Sequence, residues 1–251
     1  KNVFSKITLA LPQNLETKRY LRILGVKKIK IPGNLKYYGS PKEKNPETKI
    51  LKKKFKNFKI WCAVSTHETE EIIIANLHKN LKKKIKNLLT IIIPRHVNRI
   101  DNIKSSIESL KLNTYCHSEK KIPNKDIDIY FVDTYGETKS FFQISKTVFL
   151  GGSIIKHGGQ NPLEAIRFGC KVLHGPNVKN FKEIYNLLKL YNLSLKINNI
   201  NQLINALKQS FSHNSNSEKK IKKLKKMGLK ILNITYAKLG YYIKKNEIKK
   251  T

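Results

Sequence analysis

The sequence predicts an α/β protein built on an open parallel sheet. Short aliphatic runs of strand length alternate with amphipathic helical stretches between residues 59 and 190, the rhythm of a parallel sheet with crossover helices. Polar motifs fall directly after those runs, at the carboxyl ends of strands, where open α/β sheets place their ligands. With 251 residues and 39% hydrophobic side chains, the chain has the material for a sizeable core.

In chain order, residues 6–10 read as a short strand, 14–24 as an amphipathic helix closed by Gly25, and 26–31 as a second strand ended by Pro32-Gly33-Asn34. This piece is too small to stand as a domain and reads as the end of one. Residues 39–48 (GSPKEKNPET) are turn-rich and polar, the best linker candidate. A basic helix over 49–58 leads to a strand at 59–64, then Ser65-Thr66-His67-Glu68 and a helix to about Lys86. Strands follow at 88–93, 114–117, 128–132, 147–150 and 171–173, with helices at 98–111, 137–144, 161–168 and 181–190. From residue 215 a lysine-laden helix keeps Ile221, Leu224, Met227, Ile231 and Ile234 at helical spacing. The expected organisation is therefore 1–45 as a domain end with linker, 46–214 as the main domain and 215–251 as a basic terminal helix.

Charge is the most conspicuous compositional feature: 51 basic against 17 acidic residues, a formal net charge of +34. Yet Arg19, Arg22, Arg95, Arg99 and Arg167 are the only arginines. Bidentate recognition of phosphate and guanine favours arginine over lysine, and no aromatic stacking motif of the RRM type is present. The reading is no nucleic-acid partner; a basic nucleic-acid-binding protein is a minor alternative. Abundant Lys, Ile and Asn together fit drift toward A+T-rich codons, with affinity for anionic lipid or an anionic substrate as the other reading. No apolar run approaches the roughly 20 residues of a membrane span. Cys62, Cys116 and Cys170 are odd in number and unpaired in spacing, which points to a reducing compartment and core positions. No ligand spacing calls for a metal or cofactor. The first residue is Lys1 rather than Met and no signal peptide is visible, so the expectation is a fragment, a processed product or a trimmed chain.

Four loops carry the candidate chemistry. Residues 151–164 read GGSIIKHGGQNPLE, in which glycines on both sides of Gly152-Ser153 let backbone approach an anion. A helix opening at Asn161, with Pro162 in its first turn, would aim N–H groups at the ligand, and Glu164 could accept from a ribose diol. The same residues also suit a tight loop capped by Asn161. Pro94-Arg95-His96 puts a guanidinium at a strand end, suited to a phosphate. Asp133-Thr134-Tyr135-Gly136-Glu137 is a turn that could meet a base or phosphate, or simply cap a helix. Ser65 and His67 are possible further donors to an anion. No nucleophilic triad and no acid/base pair of carboxylates presents itself.

Together these blocks resemble the 3-deoxy-D-manno-octulosonic acid (Kdo) transferases of lipopolysaccharide assembly. The resemblance rests on GNLKYYG at 33–39, W-x-A-x-STH-x-x-E at 61–70, IPRH at 93–96 and VDTYGE at 132–137. It continues through FLGGS at 149–153, HGGQNPLEA at 157–165 and GPNVKNFKEI at 175–184. It implies the C-terminal half of a GT-B glycosyltransferase, a Rossmann-like sheet with a remnant of the N-terminal half, whose 46–214 domain binds CMP-Kdo. Carried over by motif, Pro94, Arg95, Tyr135, Gly136, Glu137, Asn161, Pro162, Leu163 and Glu164 would contact CMP, with Ser65, His67, Gly152 and Ser153 as further donor-site positions. Tyr135 stands where the family usually has another apolar residue, and Gln160 where His is frequent. Residues 1–39 match only the end of the family's N-terminal half, which holds the membrane anchor, the acceptor surface for lipid IVA and the general-base glutamate. The resemblance thus implies a chain with no catalytic residue of its own, inactive alone, working with that missing half at an anionic membrane surface on the cytoplasmic face of the inner membrane. No metal is implied. A glycosyltransferase using another sugar nucleotide, and an inactive fragment of a split transferase gene, are the alternatives.

Overall fold

The structure, a computed structural model, describes residues 3–39, 46–120, 126–212 and 218–247. The linker expected at 39–48 falls mostly outside the described residues, as does the expected start of the terminal helix at 215. In chain order the elements are α1 (Leu15–Ile23), α2 (Pro46–Lys54), β1 (Lys59–Thr66), α3 (Glu70–Lys82), β2 (Leu88–Pro94), α4 (Ile100–Glu108), β3 (Thr114–Cys116) and β4 (Ile129–Phe131). Then come α5 (Thr138–Ile144), β5 (Thr147–Leu150), α6 (Leu163–Arg167), β6 (Lys171–His174), α7 (Lys182–Leu190), β7 (Ser194–Lys196), α8 (Ile200–Ser212) and α9 (Glu218–Glu247).

The chain divides into two compact units, one of Lys1–Pro41 with Lys219–Thr251 and the other of Lys42–Glu218. The larger unit holds a parallel sheet, seven strands among the described residues, in the order β3-β4-β2-β1-β5-β6-β7. β1 is its centre, with Ala63 beside both Ile92 of β2 and Phe149 of β5. Alternation along each strand divides the side chains between two faces. Trp61, Ala63, Ile92, Phe131, Phe149 and Leu173 meet α3, α4 and α8 in one buried cluster. On the other face Tyr130 packs edge-on against Phe55 at 5.0 Å and near Phe141 of α5 at 6.2 Å. Burial on both faces explains why β2 reads LLTIIIP, apolar at nearly every position and buried throughout.

One polar chain crosses this core. The Trp61 indole donates to Thr90 Oγ1 at 2.7 Å, and His78 Nδ1 lies 2.8 Å from the same hydroxyl. His78 Nε2 faces Asp128 at 3.2 Å, and Lys82 pairs with that carboxylate at 2.5 Å. Burial disfavours the Asp128 charge, but the bonds from His78, Lys82 and the Asn113 amide outweigh it and hold its pKa at about 2.

In the smaller unit, Asn14 caps α1 by accepting the Thr17 amide at 2.9 Å. The strands expected at 6–10 and 26–31 are reduced to a single parallel bridge between Ala10 and Ile29, preceded by a 3-10 turn over Phe4–Lys6. In α9 the buried face is Leu224, Gly228, Ile231 and Thr235; Ile234, expected on it, is 36% exposed. Among the described residues no helix is long and apolar enough to cross a membrane.

Candidate functional site

The chain leaves β1 for β2 and then β3 and β4 on one side, and returns to place β5 on the other side of β1. That reversal makes the carboxyl ends of β1 and β5 the topological switch point of the sheet, where open α/β sheets form a crevice. Because β4, β2, β1 and β5 are consecutive in the sheet, the loops after them lie side by side. Sheet topology thereby gathers residues 133–137, 94–96, 65–67 and 151–153 along one edge.

At the switch point lies the last residue of the STH-x-x-E block, to which the sequence reading gave no role. Glu70, fully buried in the first turn of α3, accepts the amides of Gly152 at 2.7 Å and His67 at 3.1 Å on Oε2. Its Oε1 accepts those of Ser153 at 3.2 Å and Ile154 at 3.0 Å. The expectation that the Gly152-Ser153 backbone is open to a ligand's anion is therefore corrected: the anion is internal. The same cradle forbids a side chain at Gly151, where a Cβ would sit 2.4 Å from the Ser65 carbonyl oxygen. Ser153 is buried as well, its hydroxyl donating to the Leu150 carbonyl and accepting the Gly175 amide at 2.8 Å. The signal in sequence was the acid three residues after His67, in the first turn of a helix.

Above this cradle three imidazoles meet. His67 lies 4.2 Å from His157 and 6.2 Å from His96, centroid to centroid. His67 is buried and its Nε2 has no hydrogen-bond partner among the described residues. Burial, and then His157, push its pKa down, against the pull of Glu70. Ser65 reaches this edge in a left-handed conformation, φ 54°, where β1 shifts register against β2.

Pro94 is buried and ends β2, while Arg95 is exposed and tied to the sheet through its amide, which donates to the Thr66 carbonyl at 3.0 Å. After β4 the turn projects Tyr135, 78% exposed, and Gly136 with φ 89°, where an added Cβ would meet nothing within 4 Å. Glu137 is held from behind: His117 Nε2 lies 3.2 Å from it and 3.4 Å from Glu47, and Thr134 donates to it. Burial raises the Glu137 pKa, with Glu47 adding to the rise and His117 opposing it. Glu47, His117 and Glu137 form the one trio of metal-ligand type whose atoms approach within 4.8 Å among the described residues.

The helix expected from Asn161 begins two residues later, at Leu163, and α6 has five residues. A helix this short has little dipole to offer an anion. Asn161 Oδ1 accepts the Leu163 amide two residues on at 3.1 Å, a turn that leads into the helix through its N-cap residue Pro162, and Asn161 itself is exposed. Pro162 and Leu163 are buried, and Asn161 and Glu164 on either side of them are exposed.

A 3-deoxy-D-manno-octulosonic acid transferase of Haemophilus influenzae is 32% identical to this chain over 241 residues, 92% of this chain and 55% of that protein. The chain is a relative of the Kdo transferases. A second Kdo transferase, from Rickettsia bellii, is 32% identical over 198 residues, 78% of this chain and 47% of that protein. The chain spans about half the length of the curated Kdo transferases it matches. No family model matches it. Among solved structures, the C-terminal CMP-Kdo binding domain of WaaA from Acinetobacter baumannii superposes with a TM-score of 0.63 at 23% identity, covering 74% of this chain and 96% of that domain. The parallel sheet thus shares the fold of that domain.

Proposed function

We propose that this chain supplies the CMP-Kdo site of a Kdo transferase that adds Kdo to the lipid A precursor lipid IVA. The observation that carries the reading is the 32% identity with the Haemophilus influenzae transferase across 92% of this chain. In this reading the 46–214 region is the donor domain. Residues 1–45 are the end of the acceptor domain, and the remainder of that domain provides the general base. The base takes the proton of the acceptor hydroxyl, whose oxygen attacks the anomeric carbon of Kdo while CMP leaves with the bonding electrons.

This chain's part is to hold CMP and steady its departing charge. The exposed Arg95 guanidinium meets the phosphate, the Asn161 NH2 adds a donor, and the Glu164 carboxylate accepts from the ribose hydroxyls. The Tyr135-Gly136-Glu137 turn lets backbone approach the base closely, Gly136 presenting no side chain. The net charge of +34 favours a phosphorylated acceptor and the anionic cytoplasmic face of the inner membrane.

A thermal-shift titration with CMP, UMP and AMP tests the reading. Stabilisation by CMP alone, lost in Asn161→Ala and Glu164→Ala, is expected. A cooperatively melting protein that answers to none of the three, or to UMP or AMP in preference, would overturn it.

A further inference from the structure

The carboxyl ends of β6 and β7 border a cavity of about 770 Å³ that includes none of the residues assigned above to CMP. Lys156, Lys179, Lys182, Lys189 and Lys196 line it, and no Asp or Glu does. Lysine is thus a third of the fifteen lining residues, against 46 of 251 in the chain, so the high average alone does not account for the cluster. None of the five forms an ion pair among the described residues, whereas Lys82 and Lys104 elsewhere do. His174 joins them at the cavity wall. Its Nδ1 faces the Gly175 carbonyl at 2.7 Å and must carry the proton there, which leaves Nε2 free of it in the neutral ring. Burial, and then Lys196, push the His174 pKa down.

Several ammonium groups around one concavity repel each other until an anion of matching charge enters. Lysine binds phosphate as a mobile point charge without the planar demands of arginine. The volume falls in the range of small-molecule sites, roughly 300–1,000 Å³, and exceeds what one inorganic phosphate fills. Asn186 adds an exposed neutral polar side chain, while the Asn177 NH2 and the Ser194 hydroxyl donate to the Ile154 and Tyr185 carbonyls at 2.8 and 3.5 Å. We propose that this cavity is a second anion-binding site, taking a soluble sugar-sized molecule that carries two phosphate groups. Its argument is independent of the CMP reading.

The test is calorimetric titration of the whole chain with fructose 1,6-bisphosphate at fixed ionic strength. The variants are Lys182→Gln/Lys196→Gln in the cavity and Lys83→Gln/Lys84→Gln, a charge-matched pair on exposed positions outside it. One molecule is expected to bind per chain, about tenfold or more weaker in the cavity pair and within about twofold of wild type in the outside pair. Saturating CMP is expected not to displace it. Equal weakening by both pairs would reduce the effect to general surface charge and overturn the proposal. Displacement by CMP, absence of binding, or binding only to vesicles containing phosphatidic acid would overturn it too. Lys189→Gln, a single change at an exposed helical position, gives the same reading if the double variant fails to fold.

Discussion

The Glu70 carboxylate receives the Gly152 amide at 2.7 Å and so ties the first turn of α3 to the loop after β5. With the amides of His67, Ser153 and Ile154 it accepts four backbone hydrogen bonds. Each of these four donors thereby finds an acceptor in one side chain. A glycine-rich loop that looks in sequence like a ligand cradle is thus closed on an anion of the protein itself. The Gly152, Ser153 and Ile154 amides are therefore satisfied within the protein.

Glu70→Ala leaves four buried amides without their acceptor and is expected to cost about 3–5 kcal/mol of stability. Glu70→Gln keeps the shape but turns an NH2 toward some of those donors, for about 2 kcal/mol. Urea denaturation of both variants measures this. Losses within about 0.5 kcal/mol of wild type, the range of surface changes, would contradict the cradle.

Asp128 makes the core acid-sensitive. Its pKa falls from 3.8 to about 2 on folding, so the unfolded chain binds the proton more readily than the folded one. The contribution is full above pH ~4 and is lost as pH falls from about 4 to 2. Urea midpoints measured from pH 7 to 2 are expected to drop in that window, and Asp128→Asn to lower stability at pH 7 while flattening the acid limb.

Cys62, Cys116 and Cys170 are buried thiols outside any disulfide among the described residues. Burial pushes Cys62 up to about 12, against a hydrogen bond with Ser145, and burial and then Asp133 push Cys116 up to about 11. Thiolate is the reactive form. Iodoacetamide at pH 8 is expected to leave both unmodified in the folded protein and to label them in urea, as read by mass spectrometry.

Two glycines of α9 are expected to respond in opposite directions to alanine. At Gly228 a Cβ would lie 2.5 Å from the Tyr37 carbonyl oxygen, so Gly228→Ala is expected to destabilise by about 1–3 kcal/mol. At Gly240 nothing lies within 4 Å, and Gly240→Ala is expected to stabilise the helix by about 0.5–1 kcal/mol. Hydrogen exchange along α9 measures both.

β2 and β5 were legible because both are buried at every position and read as nearly unbroken apolar runs: β2 was expected at 88–93 and spans Leu88–Pro94, and β5 spans the expected 147–150. β7 and α8 were missed. β7 is three residues at the sheet edge with a burial pattern that shows one buried residue of three. α8 carries Leu203, Ala206 and Leu207 at helical spacing, a signal present but unread. The segments at 6–10 and 26–31 have strand-like composition, yet pair at one bridge, because pairing depends on a partner surface that local composition does not describe.

The sequence by itself determined the parallel α/β sheet, the positions of the loops at its carboxyl edge and the kinship with the Kdo transferases, since periodicity and motif order are properties of the chain alone. Only the tertiary structure decided what each polar group in those loops touches. Glu70 and Gly152 are 82 residues apart in the chain, and His117 and Glu47 are held together by packing rather than spacing. Whether an amide faces a ligand or an internal carboxylate is a matter of which loops the sheet order places side by side, and β1 beside β5 is a choice made by the folded sheet.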